Sequence, residues 1–181
     1  MKKFIFFFLL SAIIGVRAQS DRNVEDHQVQ IGLPLPAILY EAGIGKNSTL
    51  SVEAVAGLWI RGCTGCTTEF GVYPIFRGQY RYYYNMERRL DKGKNISGNT
   101  GNYIGGLLLY QDGTSLLGDL NTVSTIAVGP VYGLQRIFKR GFFYRLETGL
   151  AYYEDNSAFD NDGVTLILAA RLGWVFGGRK K

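Results

Sequence analysis

Histidine and cysteine are scarce in this 181-residue sequence, and their scarcity narrows the chemistry that the protein can perform. The only histidine, His27, lies in a polar segment before the first predicted strand, so hydrolytic mechanisms lack their usual general base. One CxxC motif without a second ligand pair does not make a structural zinc site. We therefore expect no enzyme activity, no metal site and no cofactor.

The single CxxC motif is Cys63-Thr-Gly-Cys66, which lies between two predicted strands. In thioredoxin-type enzymes the motif instead opens a helix after a strand, where the pKa of the first thiol is lowered. Two cysteines in an oxidising compartment normally pair with each other. We predict a disulfide between Cys63 and Cys66 that staples this loop.

Long apolar runs are also missing, because no stretch beyond residue 18 reaches the roughly 20 residues of a transmembrane helix. An apolar run from Phe4 to Val16 follows two lysines and precedes Ala18, as in a secretory signal peptide. We predict a signal peptide over residues 1–18 and one mature domain over residues 19–181. The residue directly after the predicted cut is Gln19 and not a cysteine, so a lipoprotein is not expected.

Charge is nearly balanced once the predicted signal peptide is set aside. The mature chain then has 17 basic and 15 acidic residues, a net charge of +2, and nothing indicates nucleic-acid binding. Apolar and small residues are abundant: the chain is 46% hydrophobic, with 12 Tyr, 11 Phe and 24 Gly. Soluble and membrane β proteins both show this composition, so the pattern along the strands has to distinguish them.

The clearest pattern lies in residues 142–153, where large apolar side chains alternate with Arg145, Glu147, Gly149 and Ala151. A period of two predicts a strand whose two faces lie in different environments. The face that mixes charges with very small residues fits the crowded interior of a narrow barrel. Similar alternation predicts further strands at residues 29–33, 37–44, 50–60, 70–84, 126–138 and 164–176, whereas 103–110 is apolar on both faces.

The polar faces of these strands are a poor match to a surface in water, because they contain no lysine and much glycine and alanine. Aromatic residues near the strand ends are typical of membrane girdles. We predict an all-β fold, an antiparallel up-and-down transmembrane β-barrel of about eight strands. The alternative is a soluble, secreted, lipocalin-like barrel that binds an apolar ligand and has the apolar faces inside. The girdle candidates are Tyr82, Tyr84, Tyr152, Trp174 and Phe176.

Seven charged side chains would project into the lumen of such a membrane barrel. Unpaired charges are costly in a space of low dielectric constant, so we expect an ion-pair network that closes the lumen. The alternative is a narrow channel for small solutes along the same charges. The seven residues are Glu41, Glu53, Arg77, Arg81, Arg145, Glu147 and Arg171.

Turn patterns are consistent with a meander. Short turns at residues 45–48 and 139–141 are predicted on the periplasmic side, with a glycine at positive φ in the second turn, and longer polar loops at 112–121 and 154–163 on the outside. Pro34 and Pro36 are expected to disturb pairing of the first strand.

The connection over residues 85–95 is charged and compatible with a short helix. We predict a solvated connector that contains this helix, because short charge runs usually mark exposed faces. In the alternative, four basic side chains contact a barrel rim or the phosphates of the inner leaflet. These are Arg88, Arg89, Lys92 and Lys94.

Several motifs are similar to those of small, largely uncharacterised bacterial outer-membrane β-barrel proteins, over most of the mature chain. The resemblance implies an outer-membrane location and no biochemical activity. We expect a monomer with a structural or interaction role, in contact with the lipid bilayer, the outer-membrane assembly machinery and an extracellular partner that the sequence does not identify. The end of the chain departs from the terminal aromatic residue that this machinery reads in many such proteins. The motifs are Tyr80-Arg-Tyr-Tyr-Tyr-Asn85, Arg88-Arg89, Gly93-Lys94, Ser97-Gly-Asn-Thr-Gly-Asn-Tyr103, Gly129-Pro-Val-Tyr-Gly-Leu-Gln-Arg136 and Arg171-Leu-Gly-Trp-Val-Phe176.

Overall fold

The computed structural model describes residues 22–62, 67–156 and 162–177. The predicted signal peptide and the CxxC motif lie outside these residues, so the cleavage site and the Cys63–Cys66 disulfide stay predictions.

Nine antiparallel strands form one sheet, and eight of them close into a ring through pairing of the first strand with the last. Neighbours in the ring are neighbours in sequence, which is an up-and-down barrel. This confirms the predicted all-β antiparallel barrel of about eight strands. The strands are β1 (His27–Leu33), β2 (Ala37–Gly43), β3 (Ser48–Arg61), β4 (Glu69–Tyr82), β5 (Gly101–Gln111), β6 (Leu117–Gly118), β7 (Thr125–Ile137), β8 (Phe142–Asp155) and β9 (Asp162–Gly177).

The two-residue strand β6 stands outside the ring, where it pairs with β4 beyond the end of β5. A short helix, α1 (Met86–Asp91), lies in the connection between β4 and β5, as predicted. Among the described residues, no helix has the length and apolar character needed to cross a bilayer.

One local expectation is corrected and another is confirmed. Pro34 and Pro36 lie in the tight turn that joins β1 to β2, so they end the first strand without disturbing its pairing, and β1 begins at His27. In the turn between β7 and β8, Arg140 as well as Gly141 has a positive φ, at 67° and 80°. The predicted positive φ of the glycine is thus confirmed, and Arg140 is a second such residue in this turn.

The ring has two ends, which we call the lower and the upper rim. The lower rim carries the connections at residues 44–47, 83–100 and 138–141, and the upper rim carries those at 34–36 and 112–124 together with the upper ends of β3, β4, β8 and β9. The long connection at residues 83–100 is therefore at the lower rim, on the same side as the two short turns.

Side chains alternate between the interior and the outer face of the ring. On the outer face Val164 and Leu168 are 70% and 72% exposed, whereas Glu41 and Arg81 inside are fully buried. The apolar faces identified in the sequence therefore point outward. The strand that was apolar on both faces, β5, places Tyr103 inside.

The interior is polar in its lower part and apolar towards the upper rim. Val55, Ala127 and Ala151 lie nearer the upper ends of their strands than the buried charges do. At the top, the Tyr73 hydroxyl donates to the carbonyl of Leu120, and both side chains are buried. The β5–β7 connection thereby folds over the upper end of the interior.

Candidate functional site in the barrel interior

All seven predicted lumen charges lie inside the ring, and none is more than 9% exposed. They come from β2, β3, β4, β8 and β9, and the alternation of each strand directs them inward. Barrel closure then brings these distant strands within ion-pair distance of one another. The lower interior holds a single connected network of carboxylates and guanidinium groups.

Glu53 is the carboxylate of this network with the most arginine partners. Its Oε2 accepts a hydrogen bond from Arg77 Nη1 at 2.7 Å, and its Oε1 accepts one from Arg145 Nη2. Arg171 Nε lies 3.6 Å from the same Oε1. One buried negative charge therefore serves three guanidinium groups.

Glu147 forms the second centre of the network. Its Oε2 accepts from Arg77 Nη2 at 2.7 Å, so that Arg77 bridges Glu147 and Glu53. Its Oε1 accepts from the Tyr103 hydroxyl at 2.5 Å and lies 3.4 Å from Arg81 Nη2. The Arg81 guanidinium also stacks on the Tyr103 ring, 4.9 Å from its centroid.

Glu41 is satisfied mostly by neutral donors. It accepts from Thr49 at 2.6 Å, from Gln28 at 2.5 Å and from the Tyr83 hydroxyl at 2.8 Å, and its Oε2 lies 3.6 Å from Arg81 Nη1. Burial and the negative charge of Glu41 raise the pKa of Tyr83 well above its usual range. The hydroxyl therefore stays protonated and keeps donating.

Positive charge is in excess, with four arginines against three glutamates. Arg145 and Arg171 are direct cross-strand partners in β8 and β9, an arrangement of like charges that is unfavourable unless a carboxylate is shared. Within the described part of the chain, no hydrogen-bond acceptor meets Arg145 Nε or Arg171 Nε. Arg171 is the most exposed of the four, which makes it the weakest member of the network.

The network predicted from the sequence contained only charged residues and left out the glutamines that extend it. Gln30 accepts from Arg145 Nη1 at 3.0 Å and donates to Gln135 Oε1 at 3.1 Å. Gln135 in turn donates to the carbonyl of Gly98 at 2.8 Å, in the lower connection. Their alternation with outward apolar residues in β1 and β7 was the available indication.

The connection between β4 and β5 covers the lower end of the interior, which corrects the expectation of a solvated connector. Tyr83, Met86 and Ile96 of this connection form a buried apolar cluster with Val24 and Tyr103. The connection is therefore packed into the barrel.

The basic side chains of the connection stay on its outside. Arg88, Lys92 and Lys94 are exposed, and Arg89 is partly exposed. The prediction of solvated charges is thus right for the side chains and wrong for the backbone that carries them.

Two hydrogen bonds join this connection to the segment before β1. The Asn99 Oδ1 accepts from the backbone N–H of Glu25 at 2.7 Å, and the Glu25 carboxylate accepts from the N–H of Gly98 at 2.8 Å. Residues 22–26 and 83–100 thus close the lower end together, and we call them the lower cap.

Comparison with protein-family models, curated proteins and solved structures gives no significant match. Among the described residues, no cluster of three or more histidine, cysteine or acidic side chains could hold a metal ion. The function must therefore be inferred from the geometry of the ring.

Proposed function

We propose that the protein is an outer-membrane β-barrel with a structural or interaction role, whose lumen is closed by ion pairs. The observation that carries this proposal is the outer face of the ring. Of its outward side chains on the eight ring strands, only His27 and Arg136 near the lower rim and Glu154 and Asp162 near the upper rim carry a carboxylate, guanidinium, ammonium or imidazole group. The exposed Arg61–Glu69 pair lies at the upper ends of β3 and β4.

A lipid environment accounts for this uncharged face. Soluble monomers rarely expose contiguous apolar patches larger than a few hundred Å². Here the exposed apolar side chains surround the ring, from Val29 and Ile31 of β1 to Leu166 and Leu168 of β9. Lipid chains would cover this band, and ring closure leaves no unpaired strand edge within it.

The soluble alternative requires apolar side chains inside and polar ones outside, and the alternation has the opposite sense. The channel alternative requires a polar path from rim to rim. Such a path would cross the Glu53 and Glu147 ion pairs and the lower cap. Closure is thus the better supported of the two membrane functions.

The first test is electrophoresis in SDS, with and without boiling, of protein refolded into detergent. We expect a heat-dependent change in mobility, because a closed barrel resists SDS until it is heated. Protein unfolded in urea before loading is the control and should give one band. Good solubility without detergent and no mobility change would overturn the proposal.

A pair of leucine substitutions sharpens this test. Leu168→Arg places a charge in the middle of the outer band and should destabilise the inserted barrel by about 2–4 kcal/mol, because the guanidinium would face lipid. Leu117→Arg, in β6 outside the ring, is equally exposed and should be tolerated. Equal tolerance of both changes would indicate that water, not lipid, surrounds Leu168.

In this proposal the protein is a monomer in the outer membrane of a bacterium. Its partners are the lipid bilayer and the machinery that assembles such barrels. Contact with an extracellular partner would involve the connections of the upper rim.

A further inference from the structure

Two apolar grooves lie side by side on the outer face, separated by Tyr132. The first, of about 800 Å³, runs over Gly105, Pro130 and Gly149 between the strands β4 and β9. The second, of about 520 Å³, runs over Leu134 and Ala170 on the other side of Tyr132. Small residues in their floors make these grooves deeper than the surrounding surface.

A polar cluster lies at the lower end of both grooves. Asn102 Nδ2 donates to the hydroxyls of Tyr132 at 3.1 Å and Tyr84 at 3.3 Å. Arg136 Nη2 donates to Asn102 Oδ1 at 2.5 Å. The guanidinium of Arg136 is thus held in place one side chain away from the tyrosine that separates the grooves.

A second arginine lies close by. Arg89 Nη2 donates to the carbonyl of Asn95 at 2.7 Å. Asn95 Nδ2 donates to the carbonyl of Ile137, the residue after Arg136, at 3.4 Å. One residue thus links the two arginines, and partial burial together with the positive charge of Arg136 lowers the pKa of Arg89. In the described part of the chain, neither arginine forms an ion pair with a carboxylate. The cluster therefore carries two positive charges without a counter-charge.

We propose that Arg89 and Arg136 bind the phosphate of an anionic phospholipid whose two acyl chains lie in the grooves on either side of Tyr132. An anion between the two guanidinium groups would relieve their repulsion. The cross-strand register places Arg136 nearer the lower rim than the residues that line the grooves. A phospholipid in the leaflet at this rim has the same order, with its headgroup at the rim and its acyl chains above. This inference rests on the proposed membrane location.

A third groove on the ring provides an internal comparison. It has a similar size, about 540 Å³, and is lined on its outer side by apolar and aromatic residues such as Ile38, Phe76 and Tyr110. In the β2–β3 turn at the rim below, Lys46 is already paired with Glu87 at 2.8 Å. This groove has apolar walls, but its lower end lacks two arginines without an ion-pair partner. We therefore expect no preference for anionic lipid there.

The test measures lipid retention by native mass spectrometry after the refolded protein has been equilibrated with equal amounts of two lipids. These are phosphatidylglycerol and phosphatidylcholine with identical acyl chains, so that only the headgroup charge differs. We expect wild type to retain phosphatidylglycerol about 25-fold better, because each of the two surface arginines near an anionic lipid contributes about fivefold. Arg89→Gln combined with Arg136→Gln should reduce this ratio to near one.

Three further variants separate a site from general charge. Arg88→Gln combined with Lys92→Gln removes the same charge from exposed positions of the same connection and should leave the preference intact. Arg89 lies outside the ring strands, so Arg89→Gln alone leaves the ring unchanged and should lower the preference for phosphatidylglycerol about fivefold. Thr148→Phe fills both grooves and should reduce retention of both lipids without changing their ratio.

The outcomes distinguish this inference from the proposed function. A wild-type protein with a heat-dependent mobility change but equal retention of both lipids would overturn the lipid site alone. So would a preference that survives loss of Arg89 and Arg136 in a variant that keeps its mobility change. Wild-type protein without a mobility change would overturn the membrane barrel, and the lipid site with it.

Discussion

At the scale of single residues, the interior shows how a narrow barrel can hold seven ionisable groups. Removing a charge from water costs several kcal/mol, and the attraction of a partner roughly offsets this only when the geometry is good and other polar groups contribute. Here glutamines, a threonine and tyrosines supply those further hydrogen bonds. The network therefore explains how the charges are tolerated inside the ring.

Glu53 provides the sharpest prediction at this scale. Glu53→Gln should destabilise the folded barrel by about 3–5 kcal/mol, because it leaves Arg77, Arg145 and Arg171 without their shared carboxylate. Urea unfolding of the protein in lipid vesicles would measure the change.

The matched control is Glu69→Gln. Glu69 pairs with Arg61 at 2.7 Å in an exposed position, and its loss should cost less than about 1 kcal/mol. Similar effects of the two substitutions would mean that the interior charges are well hydrated and do not depend on one another.

At the scale of elements, the lower cap covers the lower end of the interior of the ring. An apolar cluster and two hydrogen bonds of Glu25 join the two segments of the cap, which are far apart in sequence. Gln135 of β7 ties the cap to the ring through the carbonyl of Gly98. Asn99 lies at the centre of this arrangement, fully buried and with φ of 63°.

We predict that Asn99→Gly loosens the lower cap. Glycine adopts the same positive φ without strain, so the substitution removes mainly the side-chain oxygen that holds the N–H of Glu25. A buried hydrogen bond of this kind contributes on the order of 1 kcal/mol, so amide exchange in residues 22–26 should quicken about fivefold. Hydrogen exchange followed by mass spectrometry is the measurement.

The control for this prediction is Ser97→Ala in the same connection. The Ser97 hydroxyl is only partly buried, and the hydrogen bonds of this residue use its backbone. Exchange in residues 22–26 should match wild type. Unchanged exchange in Asn99→Gly would show that the apolar cluster alone holds the cap.

At the scale of the whole molecule, three layers block the interior: the lower cap, the ion-pair network and the apolar upper part beneath Leu120. The ion-pair network and the upper part use residues from several strands, and the lower cap joins two segments that only the closed ring brings together. An open pathway would require at least two of these layers to move.

We therefore predict that wild-type protein in a planar bilayer shows no steady conductance. Single-channel recording would check this prediction, with an established porin as the positive control. If wild type did conduct, the channel alternative would replace the closed lumen. Arg77→Ala, Arg145→Ala and Arg171→Ala should then change its ion selectivity, whereas Thr148→Ala on the outer face should not.

The sequence by itself determined the strands and their faces, because a period of two is a local property of the chain. In β8 and β9 the alternation of Leu146 and Leu168 with charged or small residues already separates an outer from an inner face. That Arg145 and Glu147 share one face follows from the same alternation, whereas their burial in the ring shows that this face is the inner one. These features need no knowledge of which strands become neighbours.

Only the tertiary structure decided how the interior is connected and how its ends are covered. Glu53 contacts Arg145, 92 residues away, because closure of the ring sets a register that no local pattern contains. The orientation of β5 and the burial of the lower cap likewise depend on what the rest of the ring places opposite them. Local periodicity therefore assigns faces, and long-range closure assigns partners.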